Sequence, residues 1–314
     1  MLRKPVWLAL LLSSLMLFTA CAAHGEKTQV RVAVLKGPTG LGAAWLMNEN
    51  EAGRTENRYE FTLAGTPDAF IGQLITGALD IAALPSNAIA MLAEKSNGAV
   101  QAVGISTLGV LYVLERGDSV QSVADLAGKT VVCAVRGSTA EAIAGRLFGD
   151  DAEMRYVSEH SEAVALAAQG RADLVLIPEP FVTSLLARDI GFRIAIDLTA
   201  AWHESGAGEL PMGGIAVRTG FAAENPRAVE AFLAEYAASV AYTNENPAEA
   251  AQLIEQYDIL QAEIAEAAIP RANMVLITGD AMKAALEAYY AVLFADDPAL
   301  IGGALPAGAF YYAP

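Results

Sequence analysis

The stretch Val32-Ala33-Val34-Leu35-Lys36-Gly37-Pro38-Thr39-Gly40-Leu41 decides the fold. Its apolar, β-branched start predicts a strand, its glycines and proline predict a turn, and an alanine-rich helix is expected from about Leu41. The first N–H groups of such a helix have no partner inside it, so they favour a negative or carbonyl-bearing group in the loop. The stretch therefore predicts a site for a small molecule.

A later stretch repeats this arrangement. In Val131-Val132-Cys133-Ala134-Val135-Arg136-Gly137-Ser138-Thr139 an apolar strand again ends in a basic residue, a glycine, one further residue and a threonine. We expect the two turns to face each other across one cleft, although each turn also serves simply to reverse the chain. The two cations either balance an anionic ligand or are solvated. The predicted ligand contacts are Lys36, Gly37, Pro38, Thr39, Gly40 and Leu41 from the first turn and Arg136, Gly137, Ser138 and Thr139 from the second.

A second repeat involves helix, glycine and strand. Gly77 precedes Pro85 by the same spacing as Gly170 precedes Pro178, and an aspartate follows each glycine by three residues. Short buried strands that alternate with helices predict mostly parallel sheets with helices on both faces. Ligands in such sheets bind beyond the carboxyl ends of the strands. Both turns and both proline-containing loops are expected there.

Two similar strands mark the predicted domain boundaries. Residues 110–117 and 214–220 both end in an arginine and a nearby glycine, and we read them as two crossings between lobes. The first lobe is then predicted from residues 30–113 and 214–314, and the second from residues 114–213. Most of the chain after residue 225 is predicted to be helical, over 228–242, 247–257, 261–268 and 281–294.

The N-terminus predicts export. Residues 1–4 carry positive charge, an apolar stretch follows over residues 6–18, and Thr19-Ala20-Cys21 comes next. This apolar stretch is shorter than the roughly 20 residues that a membrane span needs, so residues 1–20 are predicted to be a signal peptide. Small residues before a cysteine resemble a bacterial lipobox, which implies lipidation of Cys21, a tether over residues 21–29 and an extracytoplasmic, membrane-anchored protein. An ordinary signal peptide with a spare thiol is the alternative.

Composition excludes several function classes. The chain has 314 residues, a formal net charge of −16 and a pI near 4.6, so nucleic acid and anionic membrane faces are unfavourable partners. Only Cys133 remains beyond the signal region, which leaves no disulfide or zinc framework. The three histidines are far apart, and we find no phosphate loop or nucleophile elbow. We therefore expect a monomer that is not an enzyme, with no catalytic residue, metal or cofactor.

Further ligand contacts are predicted from position along the chain. A carboxylate between two prolines, at Glu179, is suited to accept hydrogen bonds from an amine or ring N–H, although a first-turn acid also stabilises the helix dipole. Trp202 lies in a stretch predicted to be irregular, residues 199–210, and is expected to stack on a ring. The remaining candidates adjoin strand ends or crossings: Pro85, Ser86, Asn87, Ser106, Thr107, Pro211 and Met212.

These motifs together resemble the extracytoplasmic substrate-binding proteins of ABC importers, in the branch that includes nitrate, sulfonate, taurine and thiamine-precursor binders. The resemblance is carried by the lipobox, Lys36-Gly37-Pro38-Thr39-Gly40, Gly77-Ala78-Leu79-Asp80-Ile81, Gly137-Ser138-Thr139, Asp173 with Glu179-Pro180, and Asn225-Pro226. It implies a type II periplasmic-binding-protein-like α/β fold, with two lobes joined by two crossings that close over a small ligand. It also implies delivery of that ligand to a permease with its ATPase.

Two other functions stay open. A thiamine-pyrimidine synthase of the fungal type resembles this fold, although the lipobox disfavours it because such synthesis needs cytosolic cofactors. A ligand-sensing receptor module without transport is the other alternative.

Overall fold

The computed structural model describes residues 27–134 and 136–313. The predicted signal peptide, the predicted lipidation site at Cys21 and Val135 lie outside the described residues. No helix in the described part of the chain is long and apolar enough to cross a membrane.

Strands and helices alternate along the described chain. The strands are β1 Gln29–Leu35, β2 Arg58–Ala64, β3 Ile81–Pro85, β4 Val100–Thr107, β5 Leu111–Arg116, β6 Thr130–Ala134, β7 Glu153–Val157, β8 Leu174–Pro178, β9 Phe192–Asp197, β10 Gly213–Arg218 and β11 Met274–Ile277. The α-helices are α1 Pro38–Leu41, α2 Ala44–Glu51, α3 Asp68–Thr76, α4 Ser86–Lys95, α5 Thr139–Phe148, α6 His160–Ala168, α7 Phe181–Leu186, α8 Leu198–Glu204, α9 Thr219–Glu224, α10 Pro226–Glu245, α11 Pro247–Gln256, α12 Ala262–Ala268 and α13 Gly279–Asp296. Short 3₁₀ helices lie at Val123–Leu126, Ile269–Arg271, Pro298–Ile301 and Gly308–Phe310.

The strands form two mixed sheets, in each of which four strands run in the same direction. The first has the order β11-β4-β10-β3-β1-β2 and the second the order β7-β6-β8-β5-β9. One antiparallel strand lies inside each sheet: β10 lies between β3 and β4, and β5 lies between β8 and β9. In the sequence, β5 follows a strand of the first sheet and β10 follows a strand of the second sheet. The chain therefore crosses between the sheets twice, after β4 and before β10. This is the predicted periplasmic-binding-protein-like α/β fold, which the structure confirms.

Strand β1 shows why helices cover both faces of the first sheet. Val30, Val32 and Val34 pack on one face in a core with Leu41 and residues of α2 and α10. Ala33, on the other face, joins a core that continues into the second sheet. Because successive strand residues alternate between faces, an unbroken apolar run buries both.

Asp80, the first of the two repeated aspartates, forms ion pairs that stabilise the first sheet. Asp80 is 1 % exposed, and its carboxylate accepts hydrogen bonds from Arg31 at 2.7 and 2.8 Å and from Arg218 at 3.3 Å. Burial raises the pKa of Asp80, but the hydrogen bonds from Arg31 outweigh this effect and hold the pKa below its usual range. The two ion pairs of Asp80 therefore stabilise the amino end of β3 by joining it to β1 and β10.

Two sequence-based predictions of local structure were wrong. The helix after the first turn does not start at Leu41: α1 is a single turn over Pro38–Leu41, and α2 begins at Ala44. Residues 199–210 are not all irregular, since Asp197 caps α8 by accepting hydrogen bonds from the N–H groups of Thr199 and Ala200. The four predicted C-terminal helices are present as α10 to α13.

Candidate functional site

Two buried hydroxyls lie where the chain crosses between the sheets. Ser106 and Thr107, at the end of β4, are 0 % and 2 % exposed, and neither Oγ of Ser106 nor Oγ1 of Thr107 has a hydrogen-bond partner among the described residues. Across the ladder stands Gly213, where a Cβ atom would lie 3.0 Å from Thr107 Oγ1 and 3.2 Å from Ser106 Oγ. Because buried polar groups in folded proteins are normally hydrogen-bonded, this pair points to a ligand.

Tyr236 connects the first turn to these hydroxyls. It is 1 % exposed on α10, and its hydroxyl donates to the carbonyl oxygen of Thr39 at 3.3 Å. Burial raises the pKa of Tyr236, and the nearby Ser106 hydroxyl partly opposes that shift. The phenol is therefore protonated at neutral pH and acts as an uncharged donor and acceptor.

Tyr289 connects the second turn to the same crossing. This residue of α13 is 1 % exposed, and its hydroxyl lies 3.9 Å from the Met212 sulfur. Burial raises the pKa of Tyr289, and the nearby Thr139 side chain partly opposes that shift. Its ring packs edge-on against Trp202, with centroids 6.2 Å apart. Residues of both turns and the crossing thus meet through two tyrosines.

Ser86 fixes the loop that precedes β10. Its hydroxyl donates to the carbonyl oxygen of Pro211, and its N–H donates to that of Met212 at 3.1 Å. The Tyr290 hydroxyl donates to the Ser86 carbonyl oxygen at 2.8 Å. Asn87 is turned away, with its amide donating to the Leu300 carbonyl oxygen at 3.2 Å. We call the assembled group the polar centre; it comprises Thr39, Pro85, Ser86, Ser106, Thr107, Thr139, Pro211, Met212, Gly213, Tyr236 and Tyr289.

The other residues of the first turn support packing. Gly40 has no room for a side chain, because a Cβ atom there would clash with the Leu35 carbonyl oxygen. Leu41 is fully buried in the core. Lys36 is exposed and forms an ion pair of 2.6 Å with Asp258. Gly37 and Pro38 form the half-buried start of α1.

The second turn is capped by its own residues. Ser138 Oγ accepts a hydrogen bond from the N–H of Glu141 at 3.3 Å, and the Glu141 carboxylate accepts one from the N–H of Gly137. Arg136 is exposed and lies over the Tyr156 ring at 4.5 Å. A cavity of about 320 Å³ beside this turn is also lined by Asp296 and Asp297 of the first sheet's half. These carboxylates disfavour an anionic ligand here.

Glu179 forms an ion pair that joins the two halves. It is 2 % exposed, and its carboxylate accepts a hydrogen bond from Arg271 Nε at 2.6 Å and two from Thr183, at 3.0 and 3.1 Å. Arg271 precedes β11 of the first sheet, whereas Glu179 follows β8 of the second. Protein groups therefore occupy the carboxylate that the sequence had suggested for a ligand amine.

Trp202 is part of the core. It is fully buried on α8, and its indole N–H donates to the Glu209 carbonyl oxygen at 3.2 Å. The ring that we expected to stack on a ligand packs on Tyr289 instead.

Sequence reasoning missed Tyr236, Tyr289 and Arg271. None of the three lies in a predicted turn or crossing. On α13 the buried residues Met282, Leu286, Tyr289 and Leu293 recur at helical spacing. A tyrosine on such a face needs a partner for its hydroxyl, so this pattern was the available signal.

The described residues contain few groups suited to nucleophilic or metal chemistry. No cluster of three or more His, Cys, Asp or Glu residues within them is arranged to hold a metal ion. Burial raises the pKa of the Cys133 thiol to about 12, which makes it a poor nucleophile near neutral pH.

Comparisons with known proteins place this geometry in context. The profile of a protein family described as "Menaquinone biosynthesis" matches residues 42–295. No curated protein matches the sequence. Among solved structures, an ABC transporter from Parabacteroides distasonis is similar with a TM-score of 0.78 and 21 % identity, over 91 % of this chain and 99 % of that one.

Two further structures share the fold. The periplasmic aliphatic sulphonate binding protein SsuA from Escherichia coli has a TM-score of 0.72 and 18 % identity, over 91 % of this chain and 92 % of its own. The periplasmic nitrate-binding protein NrtA from Synechocystis PCC 6803 has a TM-score of 0.55 and 12 % identity, over 82 % and 75 %.

Proposed function

The chain belongs to the menaquinone biosynthesis family, and we propose that this member is a solute-binding protein that holds a small polar or heteroaromatic molecule at the polar centre. The observation that carries the proposal is the pair of buried, unpartnered hydroxyls at Ser106 and Thr107, within the described residues, beside the side-chain-free Gly213. A ligand that bonds both hydroxyls would recover the free energy that their burial costs, about 1–3 kcal/mol for each group.

The chemistry of the centre favours an uncharged or weakly charged ligand. The hydroxyls of Tyr236 and Tyr289 are neutral donors and acceptors, since burial raises the pKa of both. The carboxylates beside the second turn repel an anion. We therefore propose recognition by hydrogen bonds to hydroxyls and by contact with aromatic rings, and not by ion pairing.

We propose that the ligand enters when the two halves separate. The division into lobes would follow the sheets, with crossings between Thr107 and Leu111 and between Asp197 and Gly213. Hinge bending at the crossings would break the contact of Glu179 with Arg271, and ligand binding would favour the closed form.

The proposal includes delivery to an ABC permease outside the cytoplasm, with the chain tethered through a lipid on Cys21. It is supported by the signal-like N-terminal sequence and by a fold shared with proteins named as transporter components.

A second candidate is an enzyme that acts on a precursor of menaquinone. The family description favours it. The two functions differ in the fate of the ligand, which a binding protein returns unchanged.

A thermal-shift screen followed by mass analysis of the recovered ligand separates these functions. We expect one class among sulfonates, pyrimidines, amines, flavins and aromatic acids to raise the melting temperature and to be recovered intact. Thr107→Val, which removes a hydroxyl from the polar centre, should abolish that shift. Thr66→Val is the matched control, because Thr66 is exposed. Chemical conversion of the ligand would support the enzyme, and an equal shift in Thr107→Val would contradict the proposed site.

A further inference from the structure

A second polar site lies at the opposite end of the second sheet from the polar centre. Four cations line one cavity of about 560 Å³: Arg116, Lys129, Arg155 and Arg171. Two carboxylates, Glu115 and Asp173, also line it. Such a concentration of positive charge is unexpected in a chain with a formal net charge of −16.

The carboxylate of Glu115 does not neutralise these four cations. It is 4 % exposed and forms an ion pair of 2.8 Å with Arg193, while the N–H groups of Ser119 and Val120 donate to it. None of the four cations takes part in a salt bridge between described residues. With Glu115 paired to Arg193, Asp173 is the one carboxylate of the lining left to face the four cations, so the cavity keeps a net positive charge.

Arg116 is oriented by the protein. Its guanidinium lies 4.9 Å from the centre of the Phe192 ring and donates a hydrogen bond to the Ala167 carbonyl oxygen. Its Nε atom is buried and has no partner in the described part of the chain. A fixed guanidinium with an unused donor is suited to a planar or tetrahedral oxyanion.

The corresponding place in the first sheet shows that the fold does not require such a cavity. The backbone N–H of Arg218 donates to the Asp80 carbonyl oxygen at 2.8 Å, and that of Arg116 donates to the Asp173 carbonyl oxygen at 2.8 Å. These two arginines end the antiparallel strands β10 and β5 and occupy equivalent positions. In the first sheet, Asp80 pairs with both Arg218 and Arg31.

The second sheet lacks this closure because Arg116 donates to the Ala167 carbonyl oxygen instead of Asp173 and because the second arginine is replaced. Ala82 and Val175 each follow their aspartate by two residues, and they pair with Ala33 and Val132. Two residues before these partners stand Arg31 in the first sheet and Thr130 in the second. The hydroxyl of Thr130 donates to Glu153 at 2.9 Å and not to Asp173. Asp173 is exposed, and the cations around it face solvent.

We propose that this cavity is a binding site for a phosphate-class oxyanion. Arg155 and Arg171, which are exposed, would contact the anion, and the half-buried Arg116 would contribute positive charge from the wall. Free phosphates and phospholipid headgroups share this chemistry, and one soluble probe represents each of these two sources in the test below.

Calorimetric titration of the protein with pyrophosphate, and separately with glycerophosphoglycerol, tests the site. We expect at least one probe to bind, and Arg155→Ala combined with Arg171→Ala to weaken its affinity by about tenfold or more. Binding of pyrophosphate alone assigns a free phosphate, and binding of glycerophosphoglycerol assigns a headgroup.

The matched control is Arg58→Ala combined with Arg227→Ala, which removes the same charge from two exposed sites outside the second sheet. We expect the control to bind within about twofold of the wild type, because general charge effects are small at a distance in salt. The proposal is overturned if neither probe binds, if the Arg155 and Arg171 variant binds normally, or if the control loses equal affinity. Thermal melting of both variants verifies that they are folded.

Discussion

The two turns that repeat in sequence have different structures. The first, residues 36–41, forms a single helical turn without a side-chain cap, and its Thr39 carbonyl oxygen accepts from Tyr236. The second, residues 136–139, begins the ten-residue helix α5 and is capped by Ser138 and Glu141. A serine followed after three residues by a glutamate satisfies the first N–H groups within the chain. The repeat therefore predicts the strand, turn and helix but not which groups remain for a ligand.

The ends of the sheets away from the turns differ in the same way. Asp80 and Asp173 occupy the same place in a repeated motif, but only Asp80 is clamped between two arginines. Two differences accompany this: Thr130 replaces Arg31, and Arg116 donates to the Ala167 carbonyl oxygen where Arg218 bonds Asp80. Duplicated topology thus supplies equivalent positions, and individual side chains decide whether a position stabilises the fold or remains open.

The largest effect is expected at this pair of aspartates. Asp80→Asn leaves Arg31 and Arg218 without their carboxylate, which we expect to lower the free energy of unfolding by about 3 kcal/mol. Asp173→Asn is the matched substitution and should change it by less than about 0.5 kcal/mol, because Asp173 is exposed. Urea unfolding of both variants measures the contrast. An equal loss in the free energy of unfolding for both variants would contradict the different roles of Asp80 and Asp173.

The same contrast should depend on pH. The pKa of Asp80 is lowered in the folded state, so its contribution is present above the unfolded value of about 4 and is lost as the pH falls through the folded value. The difference in melting temperature between wild type and Asp80→Asn should therefore be constant from pH 7 to about pH 5 and shrink below about pH 4. A difference that grows on acidification would contradict the assignment of Asp80 as the stabilising anion.

A smaller effect is expected at the first turn. Tyr236→Phe removes the donor to the Thr39 carbonyl oxygen and leaves that buried oxygen without its partner, which should cost about 1–2 kcal/mol. Ligand affinity should also fall, since the Ser106 hydroxyl loses its neighbour. Tyr242→Phe on the same helix is the control, because that ring is only partly buried and stacks on Trp45. Equal stability and equal ligand affinity in the two variants would contradict a role of the Tyr236 hydroxyl at the polar centre.

The smallest effect is expected at the second turn. Ser138→Ala removes a side-chain cap and should cost about 1 kcal/mol, while Ser138→Gly should cost only a few tenths. Because the helix is capped by its own chain, neither substitution should abolish ligand binding. Chemical denaturation and calorimetric titration measure the two quantities. A complete loss of binding in Ser138→Gly would show that this turn contacts the ligand directly.

The sequence was sufficient for the repeated strand and helix units because these depend on local apolar periodicity and on turn residues. Gly77, Gly170 and the paired apolar strands therefore gave the sheets and the α/β class. Contacts between distant segments were beyond such reasoning. Glu179 and Arg271 lie 92 positions apart, and the residues around Glu179 in the sequence do not indicate that an arginine donates to its carboxylate.

The same limit applies to the centre of the site. Ser106 and Thr107 were predicted from their position before a crossing, but Tyr236, which lies near Ser106, comes from the distant helix α10. Trp202 was misjudged because the cap at Asp197 that starts α8 was not recognised.

The central claim is that the ligand occupies the space beside Ser106 and Thr107. Calorimetric titration of Gly213→Ala with the ligand found in the thermal-shift screen tests it most directly, because the added Cβ would lie 3.0 Å from Thr107 Oγ1 and displace that hydroxyl. Gly145→Ala, where a Cβ meets open space, is the control. We predict a loss of affinity of about tenfold or more in Gly213→Ala, with a folded protein and an unaffected control. Wild-type affinity in Gly213→Ala would contradict the account.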